Sequence, residues 1–186
     1  MDSDKNLPDE LIQLHQLRFH TYINSEDIQK RVQEIGGELR EKLAGTRPVF
    51  LVMLKGAFVF AADLIRAAEL DAEVDFVRTS SYVGTVSSRE IKLLLPPDPE
   101  LVRDRHVVLV EDIVDSGYTM QHFLPKLHEL EPASVTLVTL LHKPEASKVP
   151  VKIDHVGFSI PNKFIVGYGM DYDGLGRQLA GIYQVI

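Results

Sequence analysis

The sequence predicts an α/β fold with a mainly parallel central sheet flanked by helices, and three observations predict it. Short, continuous apolar runs recur along the chain, as in PVFLVML (48–54), HVVLVEDI (106–113) and SVTLVTLL (134–141). Runs of that length suit strands buried on both faces. Segments of helical spacing lie between them. Strand therefore alternates with helix, the order that produces parallel pairing.

Each element follows in turn. Residues up to about Thr21 are polar and irregular, an arm or a first short strand. Asn24 and Ser25 are good N-caps for a helix in which Ile28, Val32, Ile35, Leu39 and Leu43 recur at helical spacing, and Gly45 closes it. The first buried strand, 48–54, is interrupted by Lys55-Gly56, and AFVFAADLIRAAEL (57–70) resumes as a helix. VDFVRT (74–79) is the second strand. SSYVGTVSSRE (80–90) is small, polar and without apolar pattern, and IKLLL (91–95) returns as a strand, so the stretch makes a hairpin-like excursion. Pro96, Pro97 and Pro99 force a turn. The third buried strand, 106–113, leads through DSGYT into a helix ending near Leu130. The fourth and fifth strands are 134–141 and 155–160. Two weaker segments, FIVGYG (164–169) and GIYQVI (181–186), complete the chain.

At 186 residues the chain fits one domain, 1–186, with room for a small added lobe. A chain of this size buries enough apolar surface to need no covalent staples. It has no cysteine, which excludes disulfides, thiolate metal sites and cysteine nucleophiles. The first residues carry no apolar run of signal-peptide length, and no stretch of about 18 apolar residues appears, so a cytoplasmic protein away from the membrane is expected. The net charge of −7 argues against a broad nucleic-acid surface, so a polyanionic ligand must be held by local features. There is no GxGxxG, GxxxxGK[ST] or GxSxG motif, and the seven histidines form no HExxH pair.

In open α/β sheets, ligands bind outside the carboxyl ends of the strands. The strongest signal there is VVLVEDIVDSGYT (107–119). Its apolar run meets Glu111 and Asp112, then Asp115, then Ser116, Gly117, Tyr118 and Thr119 at the start of a helix. Small residues opening a helix present several backbone N–H groups and the positive dipole end to a phosphate. Adjacent carboxylates at a strand end suit the vicinal hydroxyls of a sugar, or a divalent cation. The plainer alternative is a core strand followed by a solvated acidic turn, and three acids beside three phosphate-cradling residues in one turn weigh against it.

This segment resembles the phosphoribosyl-pyrophosphate signature of the type I phosphoribosyltransferases. The Asp at position 115 makes it most similar to the hypoxanthine-guanine phosphoribosyltransferase branch. The similarity runs from about Val49 to Arg177. It implies the family's central sheet, with a small hood built from the N- and C-terminal segments.

The resemblance also implies roles. Glu111 and Asp112 would hold the ribose hydroxyls, and Asp115, Ser116, Gly117, Tyr118 and Thr119 would wrap the 5′-phosphate. Asp115 would in addition exchange a proton with the imidazole-side ring nitrogen of the purine. LKG (54–56) matches the pyrophosphate loop, with Lys55 and Gly56 as ligands and a peptide bond before the glycine that is often cis. Ser81 and Tyr82 match the characteristic pair of a mobile lid. Lys143 stands where the family hydrogen-bonds the purine 6-oxo group. NKFIVGYGMDY (162–172) matches the base-binding segment. There Phe164 would stack on the base, the Ile165 backbone would read its edge, and Asp171 would hold Mg2+, with Glu111 and Asp112 as further metal ligands. Arg177 stands where an arginine meets pyrophosphate. Taken singly, Lys55 and Lys143 also read as surface lysines, 80–90 as an ordinary exposed loop and Phe164 as core.

The chain departs from the family pattern at Ser147, where many relatives have arginine, and at Tyr118, where lysine or arginine is frequent. The second change leaves the phosphate more dependent on backbone donors. The resemblance thus implies a magnesium-dependent enzyme that joins phosphoribosyl pyrophosphate to hypoxanthine or guanine and works as a homodimer or homotetramer. Competing readings are a transferase for xanthine or adenine, a regulatory RNA-binding relative, and a non-catalytic flavodoxin-like module.

Overall fold

The computed structural model describes residues 11–81 and 91–186. Two sheets organise it. The larger is built from β3 (Val49–Leu54), β4 (Glu73–Ser81), β5 (Ile91–Leu95), β6 (His106–Val114), β7 (Ser134–His142) and β8 (His155–Ser159), in the order β5-β4-β3-β6-β7-β8. All its pairs are parallel except β4 with β5, the antiparallel excursion expected at IKLLL.

The smaller sheet is the hood. It holds β1 (Leu11–Leu14), β2 (Leu17–Ile23), β9 (Ile165–Val166) and β10 (Ile182–Val185), in the antiparallel order β1-β2-β10-β9. The described part of the N-terminal arm, from Leu11 on, is therefore a hairpin rather than one short strand, and of FIVGYG only Ile165–Val166 pairs as a strand.

Alternation explains the core. Phe50, Val52, Val108, Val110, Val138 and Leu140 face α1 (Ser25–Leu43) and α2 (Phe58–Ala68) in one apolar layer. Leu51, Met53, Val107, Leu109 and Leu137 face the opposite way, toward Met120, Phe123 and Leu127 of α4 (Tyr118–His128), with Val102 of the short α3 (Pro99–Val102). Each such side chain, fully buried, contributes about 1.5–3 kcal/mol of transfer free energy. Burial on both faces is the reason these strands read as continuous apolar runs.

The helix ends follow local chemistry. Asn24 caps α1, its Oδ1 accepting the Asp27 N–H at 2.8 Å, while Gly45 adopts φ 74 just beyond the last turn. Helices α1 and α2 approach closely at Gly36, where an added Cβ would lie 2.6 Å from Ala67. Helix α2 stops at Ala68, short of the expected Leu70, because Glu69 turns left-handed at φ 51. The freed carbonyls of Ala67 and Ala68 accept from the Arg40 guanidinium at 2.9 and 3.1 Å.

The strand order also locates the site. From β3 the chain proceeds outward to β4, and from β6 it proceeds the other way to β7 and β8. The crevice at such a reversal is where open α/β sheets bind ligands. The β3–β6 pairing ends at Val52↔Val110, whereas β6 stays paired with β7 as far as Val114↔His142. The carboxyl end of the sheet is thus open between β3 and β6, next to Glu111 and Asp112. No helix among the described residues is long and apolar enough to cross a membrane.

Candidate active site

Two adjoining hollows occupy the open end. The larger, about 350 Å³, is walled on one side by Lys55, Gly56, Asp112 and Asp115, and on the other by Phe164, Ile165, Asp171 and Arg177. Lys143 and Met170 also line it. The smaller, about 250 Å³, is lined by Glu111, Asp115, Ser116, Gly117 and Thr119. Ile113 and Asp115 line both. Nearly every sequence-predicted site residue is therefore gathered at one place. Tyr118 opens α4 but lines neither hollow. Ser81 ends β4, while Tyr82 and the proposed lid fall outside the described residues.

The phosphate turn is shaped by Gly117, whose φ of 84 is left-handed. A Cβ there would also lie 2.8 Å from the Val149 carbonyl, so conformation and space both require glycine. The Ser116 carbonyl accepts from the N–H groups of Lys148 and Val149, at 3.0 and 3.3 Å, which ties the turn to the segment after β7. The N-cap position of α4 is Gly117, which has no side chain to cap the helix, and an open helix start of this kind suits an anion.

Glu111 and Asp112 lie near the end of β6, Glu111 lining the smaller hollow and Asp112 the larger. Burial pushes the Glu111 carboxyl well above its ordinary range, and the neighbouring Asp112 carboxylate adds to the effect. Among the described residues Glu111 Oε2 has no hydrogen-bond partner. A buried acceptor without a donor is costly, and a sugar hydroxyl is a fitting donor. Burial raises the Asp112 carboxyl as well, although the Ile113 N–H donates to it at 2.8 Å. Asp112 rests against Gly56 so closely that a Cβ at that position would fall 1.6 Å from Oδ2.

The raised Glu111 carboxyl has a measurable consequence. A carboxyl that binds its proton more tightly in the folded state costs stability as pH rises above its unfolded value near 4.5. Glu111→Gln, which has no proton to lose, is expected to melt higher than wild type at pH 7–8, by about 2–4 °C per kcal/mol relieved. The difference should vanish toward pH 4. Thermal melts across that range check it, and a Gln variant less stable by an equal margin at both ends would contradict it.

Lys143 follows β7, its N–H donating to the Val114 carbonyl at 3.0 Å. Its side chain is buried, only 8% exposed, and its ammonium stands 4.0 Å from Asp115 Oδ2. It is not the surface lysine that the residue type alone suggests. Phe164 is 44% exposed and faces the cleft, so it is not a core residue either. Its ring packs edge-on against Tyr172, centroids 5.6 Å apart, and is backed by Phe19 at 6.2 Å.

Three features differ from the sequence expectation. The cis peptide is Leu54-Lys55, one bond before the one preceding the glycine. Asp171 and Arg177 pair with each other, and Arg177 also donates to the Gly169 carbonyl at 2.7 Å. Glu111, Asp112 and Asp171 do not gather into a metal cage, for among the described residues no group of three or more His, Cys, Asp or Glu does so. Of the two residues that steady the Phe164 ring, Tyr172 ends the NKFIVGYGMDY segment without a role assigned to it, and Phe19 belongs to no motif. Aromatic character inside a known segment could have suggested Tyr172, and nothing local to Phe19 could have suggested it.

The phosphoribosyl transferase domain model matches residues 21–173. The hypoxanthine phosphoribosyltransferase of Buchnera aphidicola is 40% identical over 167 residues, 88% of this chain and 94% of that protein. The hypoxanthine-guanine phosphoribosyltransferase of Bacillus subtilis is 42% identical over 158 residues, 84% and 87% of the two chains. Among solved structures, the hypoxanthine-guanine phosphoribosyltransferase of Bacillus anthracis superposes with a TM-score of 0.83 at 38% identity, covering 89% of this chain and 96% of its own. With sheet order, open strand ends and these relatives in agreement, the chain belongs to the hypoxanthine-guanine phosphoribosyltransferase family.

Proposed function

We propose that the protein transfers the 5-phosphoribosyl group of phosphoribosyl pyrophosphate to hypoxanthine or guanine, giving IMP or GMP and pyrophosphate, a purine salvage reaction. One observation carries this reading: Asp115 lines both hollows at once. The smaller hollow suits a ribose 5-phosphate, through the Ser116–Thr119 turn and the Glu111 carboxyl, whose Oε2 lacks a donor among the described residues. The larger suits a flat base between Phe164 and Lys143, with the leaving pyrophosphate toward Lys55, Gly56 and Arg177.

A neutral purine is a poor nucleophile until its ring proton is removed, and Asp115, beside the base hollow, is the group to take it. As the bond to pyrophosphate breaks, positive charge develops on the sugar next to the Glu111 and Asp112 carboxyls. Negative charge grows near Lys55 and Arg177. The contribution of the site is positioning and electrostatic stabilisation in a preorganised cleft.

Magnesium fits the donor set, though not as an all-protein cage. Asp171 presents a hard oxygen ligand on the cleft wall. Mg2+ ordinarily takes one or two carboxylates and completes its shell with phosphate oxygens and water. When bound, the ion supplies positive charge to the leaving pyrophosphate. Asp171 would then leave its pairing with Arg177, freeing the guanidinium for the same anion.

Lys143 sets the choice of base. An ammonium donates and cannot accept, so it complements a 6-oxo group and opposes the 6-amino group of adenine. Burial makes the mismatch expensive, because an unmatched buried charged group costs several kcal/mol, or a selectivity of about a hundredfold or more. Pyrophosphate release should therefore be measured with hypoxanthine, guanine, xanthine and adenine. The expected result is turnover with hypoxanthine or guanine and none with adenine. Adenine as the best substrate would overturn the reading.

A further inference from the structure

Outside the cleft, one partly buried polar cluster has no part in the chemistry above. Tyr168 is 3% exposed, and its O–H donates to Asp63 Oδ2 in the middle of α2. The same carboxylate oxygen accepts from Gln29 Nε2 of α1 at 2.8 Å, and Arg66 pairs with Oδ1. The first influence on the Asp63 carboxyl is burial, which raises it, but Tyr168, Gln29 and Arg66 outweigh this and hold it below its ordinary value.

Tyr168 occupies an unusual backbone position. Its φ is 48, between Gly167 at 103 and Gly169 at 100. A bulky side chain in the left-handed region persists only where its surroundings over-determine it. Here they do. The Tyr168 N–H donates to the Leu179 carbonyl at 2.9 Å and the Gly169 N–H to the Arg177 carbonyl at 3.0 Å. The turn also rests on the opposite wall, since a Cβ at Gly169 would lie 2.2 Å from the Gly56 carbonyl.

Two walls of the cleft meet in this way. One is Lys55-Gly56, which leads directly into α2. The other is the turn leading to Asp171 and Arg177. The Asp63–Tyr168 bond spans them, and Gln29 adds α1 as a third support. The base platform is secured separately, by the β9–β10 pairing Tyr183↔Val166 and Gln184↔Ile165.

We propose that Tyr168 and Asp63 are positioning residues whose mutual hydrogen bond sets the spacing between the two walls of the cleft on its pyrophosphate side. The proposal rests on the transferase reading for its substrate, and on geometry alone for the fixing of the turn. Misplacement of a binding group by a fraction of an ångström to an ångström typically costs about ten- to a hundredfold.

Four variants test it: Tyr168→Phe, Asp63→Ala, the double variant, and Asp63→Asn, which keeps an acceptor for the tyrosine. Tyr168→Phe and Asp63→Ala should each raise KM for phosphoribosyl pyrophosphate about tenfold, with the double variant no worse than either. Asp63→Asn should stay within about threefold, and KM for the purine should move little in all four. Backbone hydrogen exchange of the free protein supplies a readout that needs no turnover. In Tyr168→Phe the amides of 169–177 should exchange faster, while Ile165 and Val166 are unchanged. Additive effects in the double variant, or equal exchange at 169–177 in wild type and Tyr168→Phe, would overturn the proposal. A wild type without phosphoribosyl transfer would instead refute the transferase reading, and the exchange result would still decide whether this bond fixes the turn.

Discussion

Asp115→Asn is expected to lower kcat by about 10²–10⁴, the usual contribution of a general base, while leaving the affinity for phosphoribosyl pyrophosphate nearly unchanged. The two hollows meet at Asp115, and its carboxylate lies 4.0 Å from the Lys143 ammonium that would face the purine 6-oxo group. Asparagine preserves the shape and one acceptor oxygen but cannot take a proton. The effect therefore belongs in kcat and not in binding. Steady-state kinetics with each substrate varied check it, and a variant within about threefold of wild type would remove Asp115 from the proton-transfer role.

The second large effect is expected at Gly56. An alanine Cβ would sit 1.6 Å from Asp112 Oδ2 and 2.5 Å from its carboxyl carbon, so the whole carboxyl must rotate away. The group that moves is a side chain, not backbone, and the fold should survive. Asp112, however, would leave the position from which it lines the cleft. Gly56→Ala should therefore lower kcat/KM for phosphoribosyl pyrophosphate by about a hundredfold with only a small change in Tm. Retained kcat/KM would show that the Asp112 carboxyl does not need its present place.

The parallel strands were legible because burial on both faces leaves a direct imprint, an unbroken apolar run such as 48–54. The EDIVDSGYT turn was legible because acids and small residues at a strand end are an unusual composition with few physical explanations. The hood was far less so. Its strands β1, β2, β9 and β10 come from opposite ends of the chain, and each is stable only against the others. Local composition carries no record of such a pairing.

The side-chain environments were the least legible. Lys143 and Phe164 have ordinary surface and core readings by residue type, and the fold reverses both. Arg177 and Asp171 are close enough in sequence to suggest partnership, yet the family pattern directed each to a separate ligand. The Tyr168–Asp63 bond links residues 105 positions apart and has no periodic signature. What sequence conveys well is which surface an element buries. What it conveys poorly is which polar atoms meet once distant elements are packed.

The central claim is that one cleft holds a phosphoribosyl group and a 6-oxopurine on either side of Asp115. A crystal structure of the protein with its product nucleotide, GMP or IMP, tests this most directly. The 5′-phosphate is expected on the backbone N–H groups of the Ser116–Thr119 turn, the ribose hydroxyls at Glu111 and Asp112, and the purine against Phe164 with its 6-oxo oxygen on Lys143. A phosphate bound elsewhere, or a purine turned away from Lys143, would contradict it.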